Sequence, residues 1–279
     1  MGAPEFSEHT RHGRNDSAAV TTLDAMTSTS LITGASSGLG TEYARQLARR
    51  GDHLVLVARD TARLTELVSE LTQEGAEDVE VLGADLSTAE GIDAVTGRLT
   101  DEARPIGTLV NSAGFGLSLA FEKNDIEDEV RHLRLHDEVP MRLMHAVLPS
   151  MLARGSGEII NIASAAAVMP RSTYAACKAW LVMFSRWANG RYRARGVTVT
   201  AVCPGYTHTD FHARLGLPKG EEGIPGWLWL EAPRVVEESL RDVRRGRAVS
   251  VPSRRYRAIY TAARFVPSGL MARAAERGR

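Results

Sequence analysis

From residue 30 to residue 251, short runs rich in Val, Ile and Leu alternate with stretches of helical period, and this alternation constrains the fold more than any other feature. The runs are Ser30–Thr33, His53–Ala58, Val79–Gly83, Thr108–Asn111, Glu158–Ile162, Val197–Cys203 and Ala248–Val251. They are mostly apolar, as fits strands covered on both faces. The segments between them carry helix boundaries. Asp60 is placed to cap "TARLTELVSELTQEG", which stops at Gly75, and Ser87 with Glu90 reads as a capping box before "GIDAVTGRL". The pattern predicts an α/β fold: a doubly wound parallel sheet of about seven strands with helices on both faces, in three layers. No repeat or long linker divides it, so residues 27–279 are expected to form a single domain. Residues 1–26, polar and without period, are expected to be a disordered leader.

In "SLITGASSGLG" a strand ends at Thr33 and a helix must begin near Gly38. A turn this tight sets backbone amides and a helix N-terminus against an anion, and a Cβ at the approach points would hold the ligand away. Strand-to-helix turns also contain glycine for purely steric reasons, so this cluster alone leaves both readings open. Three more motifs follow it: "VNSAG" at Val110–Gly114, "YAACK" at Tyr174–Lys178 and "CPGYTHT" at Cys203–Thr209.

In this order and spacing the four motifs resemble the short-chain dehydrogenase/reductase family, over about Leu31 to Pro252. The resemblance implies a Rossmann-type sheet, a nicotinamide dinucleotide, and hydride transfer coupled to proton transfer on a carbonyl or alcohol oxygen. It assigns Tyr174 as general acid/base. Lys178 modulates its pKa and binds the nicotinamide ribose, and Ser164 hydrogen-bonds the reacting oxygen. Tyr174 and Lys178, four apart, share one helix face. Bringing a phenol from about 10 to near 7 takes about 4 kcal/mol, so the site must exclude water. Ser164 also reads as a plain turn cap. Two departures from the family stand out: Ser164 and Tyr174 are only ten residues apart, and His136 takes the place of an asparagine in the preceding helix. That position acts in the family through its main-chain carbonyl, which histidine preserves. A ring in the proton path and a packed ring at the edge of the site are the other readings.

By the same resemblance the cofactor is held by Gly34, Ser36, Ser37, Gly38, Leu39, Gly40, Asp85, Leu86, Asn111, Ala113, Gly114, Pro204, Gly205, Thr207 and Thr209, with Tyr174 and Lys178. An enzyme preferring NAD(H) places a carboxylate at the end of the second strand. Here Ala58 stands there and Arg59 follows, with Asp60 occupied as a cap, so NADP(H) is favoured over NAD(H).

A substrate loop is expected over about residues 208–231, with Phe211, Leu215, Trp227 and Trp229 as candidates for contact with a small hydrophobic carbonyl or alcohol; the tryptophans read equally as anchors. Residues 253–279 form a basic and apolar tail. Lys plus Arg and Asp plus Glu each number 34, so no overall field invites nucleic acid. No apolar run reaches the length of a membrane span, and the cytoplasm is the expected location. Cys177 and Cys203 match no metal spacing and read as packing residues. Family members assemble as homodimers or homotetramers. The readings that compete with a carbonyl reductase are a 3-oxoacyl thioester reductase and, from another class, a cofactor-sensing regulatory protein.

Overall fold

The computed structural model describes residues 28–209, 211, 224–263 and 265–266. The expected leader, Leu215 and the end of the basic tail lie outside the described residues.

Strands and helices alternate as β1 (Thr29–Thr33), α1 (Gly38–Ala48), β2 (His53–Ala58), α2 (Thr61–Gln73), β3 (Val79–Gly83), α3 (Ala89–Leu99) and β4 (Thr108–Asn111). The second half runs α4 (Ile126–Leu133), α5 (Val139–Arg154), β5 (Gly157–Ile162), α6 (Thr173–Tyr192) and β6 (Val197–Val202). It continues with β7 (Thr207–His208), β8 (Leu230–Glu231), α7 (Ala232–Arg244), β9 (Val249–Ser250) and α8 (Arg254–Ala263). The main sheet has seven strands in the order β3-β2-β1-β4-β5-β6-β9, every pair parallel. The strand runs read from the sequence match to within a residue or two at each end.

Side chains that alternate along each strand feed two cores. Leu31, Val55, Leu109 and Ile159 pack with Val95 of α3, Val147 of α5 and Leu181 of α6. Their neighbours Ile32, Leu54, Val110 and Ile160 pack with Leu47 of α1, Leu67 of α2 and Leu240 of α7. Both faces of the sheet are therefore covered, giving three layers, and the strand order reverses between β1 and β4. Ligands of such sheets sit outside the carboxyl ends of the strands at that reversal. Thr33, Asn111 and Asn161 lie in one row across β1, β4 and β5 and mark this edge.

Asp60 caps α2 as expected, accepting the Arg63 N–H at 3.0 Å. The expected capping box at Ser87 is corrected. The cap of α3 is Thr88, whose hydroxyl accepts the Gly91 N–H at 3.1 Å. Ser87 instead donates its N–H and hydroxyl to the Asp85 carboxylate at 2.9 and 2.7 Å, an ionised acceptor that outcompetes the helix amides. The two-residue pair β7–β8, too short to leave a periodic signal, joins the segment after β6 to the entrance of α7.

Candidate active site

The first wall is the turn between β1 and α1. Gly34 and Gly38 both adopt left-handed φ, 67° and 57°. A Cβ on Gly34 would stand 2.9 Å from the backbone N and Cα of Ala113, and one on Gly40 would collide with the Gly34 carbonyl. Two of the three glycines are thus demanded first by the chain's own close packing, the steric one of the two readings the sequence left open. A Cβ on Gly38 would meet only Thr209, at 3.3 Å. Ser36, Ser37, Gly38 and Leu39 are half-buried around the turn. Ser37 opens α1 without a side-chain capping bond, which leaves the first helix amides to another acceptor. Backbone donors at the positive end of a helix fit the phosphates of a dinucleotide.

The second wall is the end of β4. Thr33 Oγ1 accepts the N–H groups of Ser112 and Ala113 at 3.0 and 3.1 Å, tying this segment to β1. Asn111 turns inward: its Nδ2 donates to Asn161 Oδ1 at 2.8 Å, and Asn161 donates to Ser185 at 2.9 Å. Leu86 is likewise a core side chain, so neither offers its side chain to the crevice. Burial works against the Asp85 carboxylate, but Ser87, Arg59 and Arg131 together hold it below its ordinary range. Arg59 itself is exposed and makes no ion pair among the described residues.

Ser164, Tyr174 and Lys178 meet at the carboxyl end of β5. Ser164 caps a short turn at Ala165–Val168, accepting the Ala166 N–H at 3.1 Å, and its hydroxyl also reaches the Tyr174 phenol. The turn-cap reading of this serine holds, and despite the short connection its hydroxyl stands beside Tyr174. Lys178 is buried and donates to the Ile162 carbonyl at 2.7 Å, with Nζ 5.5 Å from the Tyr174 ring centroid. Burial lowers Lys178 to about 8, against the partial support of Cys177, Asp137 and Cys203. Burial likewise raises Tyr174 to about 12, only partly offset by Ser164.

His136 lies in a π-helical turn, Arg134–Glu138, that joins α4 to α5. Pro140 has no N–H to give the His136 carbonyl four residues back, so an α-helical ladder cannot close there. The ring is buried, and a Cβ on Gly114 would come 2.6 Å from its Cε1. Its Nε2 lies 2.8 Å from the Phe115 carbonyl and 3.3 Å from the Phe115 backbone N, and Nδ1 is unpartnered among the described residues. The sequence reading missed His132, one turn earlier, although four-residue spacing places the two on one face. The imidazoles lie 4.2 Å apart, with Tyr174 5.7 Å from His136. Burial, with Lys178 second, lowers His132 to about 4 and His136 well below its usual value. Cys177, read as inert packing, lies 3.9 Å from His132 Nδ1 and contacts Asp137; burial raises the thiol to about 12 and raises the carboxyl as well.

On the substrate side, Phe211 lies 5.9 Å from Tyr174, ring to ring. Trp229 stacks on His208 at 4.6 Å and touches Tyr206, so it anchors β7 and β8; Trp227 is exposed. Pro204 is buried, and its carbonyl accepts the Ala165 N–H at 2.8 Å. Thr207 is buried and donates to the Gly205 carbonyl at 3.0 Å. Among the described residues no helix is long and apolar enough to cross a membrane, and no cluster of three or more His, Cys, Asp or Glu could hold a metal.

The profile of the short chain dehydrogenase family matches residues 28–219. A very-long-chain 3-oxoacyl-CoA reductase of Anas platyrhynchos is 30% identical over 203 residues, 70% of this chain. The match spans 64% of the duck protein's own length, under two thirds. A short-chain dehydrogenase from Sphingobium yanoikuyae, solved with NADPH, superimposes with a TM-score of 0.77 at 36% identity, covering 88% of this chain and 95% of that one. The bulky-bulky ketone specific alcohol dehydrogenase from Comamonas testosteroni superimposes with a TM-score of 0.72 at 32% identity, covering 88% and 94%.

Proposed function

This chain belongs to the short chain dehydrogenase family, and on that premise we propose that it is an NADPH-dependent reductase of hydrophobic ketones with Tyr174 as general acid. It is an oxidoreductase acting between carbonyl and alcohol with a nicotinamide cofactor. The observation that carries the finer reading is Lys178: a buried ammonium with no ion pair among the described residues, held by the Ile162 carbonyl against the face of Tyr174.

The bound nicotinamide supplies the hydride. Tyr174 O–H donates its proton to the carbonyl oxygen of the substrate, and Ser164 donates a hydrogen bond to that same oxygen. Holding the resulting phenolate near neutral pH, from the 12 or so of the chain alone, takes about 7 kcal/mol. The Lys178 ammonium over the ring face supplies part of this, and an oxidised nicotinamide would add its own positive charge when bound. His136 contributes through its backbone, where Pro140 supplies no amide donor to its carbonyl, while its ring packs against Gly114 and Phe115.

NADP(H) is favoured over NAD(H) because Arg59 carries an unpaired guanidinium beyond Ala58 while the Asp60 carboxylate is engaged with the Arg63 amide. A hydrophobic ketone is favoured by the ring of Phe211 beside Tyr174, and by the likeness to the Comamonas testosteroni enzyme. A 3-oxoacyl thioester is the second reading, supported by the duck relative. A second copy of the chain would dock on α5 and α6, where Met141, Met183 and Trp187 are exposed apolar side chains. The test is NADPH absorbance against a panel of bulky ketones and 3-oxoacyl thioesters. Turnover of bulky ketones that Tyr174→Phe abolishes, with NADPH affinity kept within a few fold, supports the reading. Full activity of that variant refutes Tyr174, and turnover confined to thioesters selects the second substrate class. NADPH binding without turnover of anything would favour the regulatory reading.

A further inference from the structure

Tyr256 lies in α8, beyond the residues that carry the family motifs. Its backbone is held at the helix start: Ser253, with a left-handed φ of 77°, gives its N–H to Glu238 of α7 at 2.8 Å, and Glu238 also pairs with Arg234 at 3.1 Å. The Tyr256 ring is buried and occupies the place a Cβ on Gly205 would take. That side chain is absent to admit this ring, a reason the sequence did not offer. The phenol oxygen accepts the Tyr206 N–H at 3.1 Å and donates to the Leu228 carbonyl at 2.9 Å. Two stretches of chain thus meet at one oxygen: the one leaving β6 and the one returning to α7. The Leu230 N–H completes the joint by donating to the Tyr206 carbonyl at 2.9 Å. From this joint the leaving stretch runs through Thr207 to Thr209, which stands against Gly38 of the turn at the start of α1.

We propose that Tyr256 is a positioning residue of the reaction: its phenol fixes Gly205–Thr209 against the glycine turn and sets cofactor affinity and substrate KM from outside the crevice. The proposal rests on the assignment of this crevice to nicotinamide and ketone. A hydroxyl with both a donor and an acceptor to satisfy is suited to the task, because losing it leaves an N–H and a C=O unpaired at the root of the segment.

Tyr256→Phe keeps the ring against Gly205 and removes only the two hydrogen bonds. In the full chain we expect NADPH affinity and ketone KM each to weaken about fivefold to tenfold, with kcat within about twofold. The pH–rate profile should keep its shape and unfolding should stay a single transition. Amide exchange at Tyr206 should quicken about tenfold or more while Val199 in β6 stays protected. Gly205→Ala, which displaces the ring, should move all of these in the same direction. Faster exchange at Tyr206 with unchanged NADPH affinity and KM would overturn the proposal, as would unchanged exchange. Should the parent reduce no ketone, the substrate assignment alone falls, since exchange and NADPH titration read Tyr256 without a substrate.

Discussion

Replacing Lys178 with methionine should destroy activity and, at neutral pH, make the free protein more stable. The ammonium is buried and brought from 10.5 to about 8 by desolvation. Its folded pKa is depressed, so the stability it withholds is absent above its unfolded pKa, grows as pH falls from 10.5 to about 8, and is complete below that. At pH 7 the difference amounts to about 3 kcal/mol. Methionine fills a similar volume without charge, but it leaves the Ile162 carbonyl without its 2.7 Å donor, at a cost of about 1 kcal/mol. The variant should therefore be the more stable protein by about 2 kcal/mol at pH 7 and about 1 at pH 9, with parity near pH 10. The thiols of Cys177 and Cys203, raised by burial to about 12, titrate in both proteins and drop out of the difference. Urea unfolding of both proteins at several pH values between 7 and 10, without nucleotide, measures this. A variant less stable than the parent at pH 7, or a difference that stays flat across the range, would refute the claim that the lysine is held against its own hydration.

Arg59→Asp should lower kcat/KM for NADPH by about a hundredfold and bring NADH level with it or ahead, as expected for loss of a paired guanidinium–phosphate contact; steady-state comparison of the two nucleotides decides. His136→Ala should cost about tenfold in kcat/KM through release of Phe115 while leaving the pH–rate profile unshifted, because a ring held well below 6.5 does not titrate in the working range; a profile that moves would put the ring itself in the proton path. Trp187→Asp should turn an oligomer into a monomer in sedimentation, and an unchanged mass would place any interface elsewhere.

The sheet was legible because runs rich in Val, Ile and Leu alternate with stretches of helical period, both local properties. The order of the motifs supplied Tyr174, Lys178 and Ser164 for the same reason. What escaped was long-range. The Gly205 side chain is excluded by Tyr256, some fifty positions on, and Gly34 is excluded by the backbone of Ala113; a sequence shows the missing Cβ but not what takes its place. The capping box slipped from Ser87 to Thr88 because Asp85, two residues before it, claimed the serine. His132 had a usable signal, its four-residue spacing from His136. Pro140 had one too, since a proline four residues after a helical position removes the α-helical donor to that position's carbonyl.

One consequence of the burial pattern joins these residues to the chemistry. Around the Lys178 ammonium, burial drives the neighbours toward their uncharged forms: Tyr174 and Cys177 up to about 12, His132 down to about 4, His136 further below its ordinary value, and Asp137 upward. A second cation on either imidazole would repel the lysine ammonium, and a full anion at Cys177 would consume its field. Keeping both neutral leaves the phenolate as the group that gains most from Lys178, at the moment the proton leaves Tyr174.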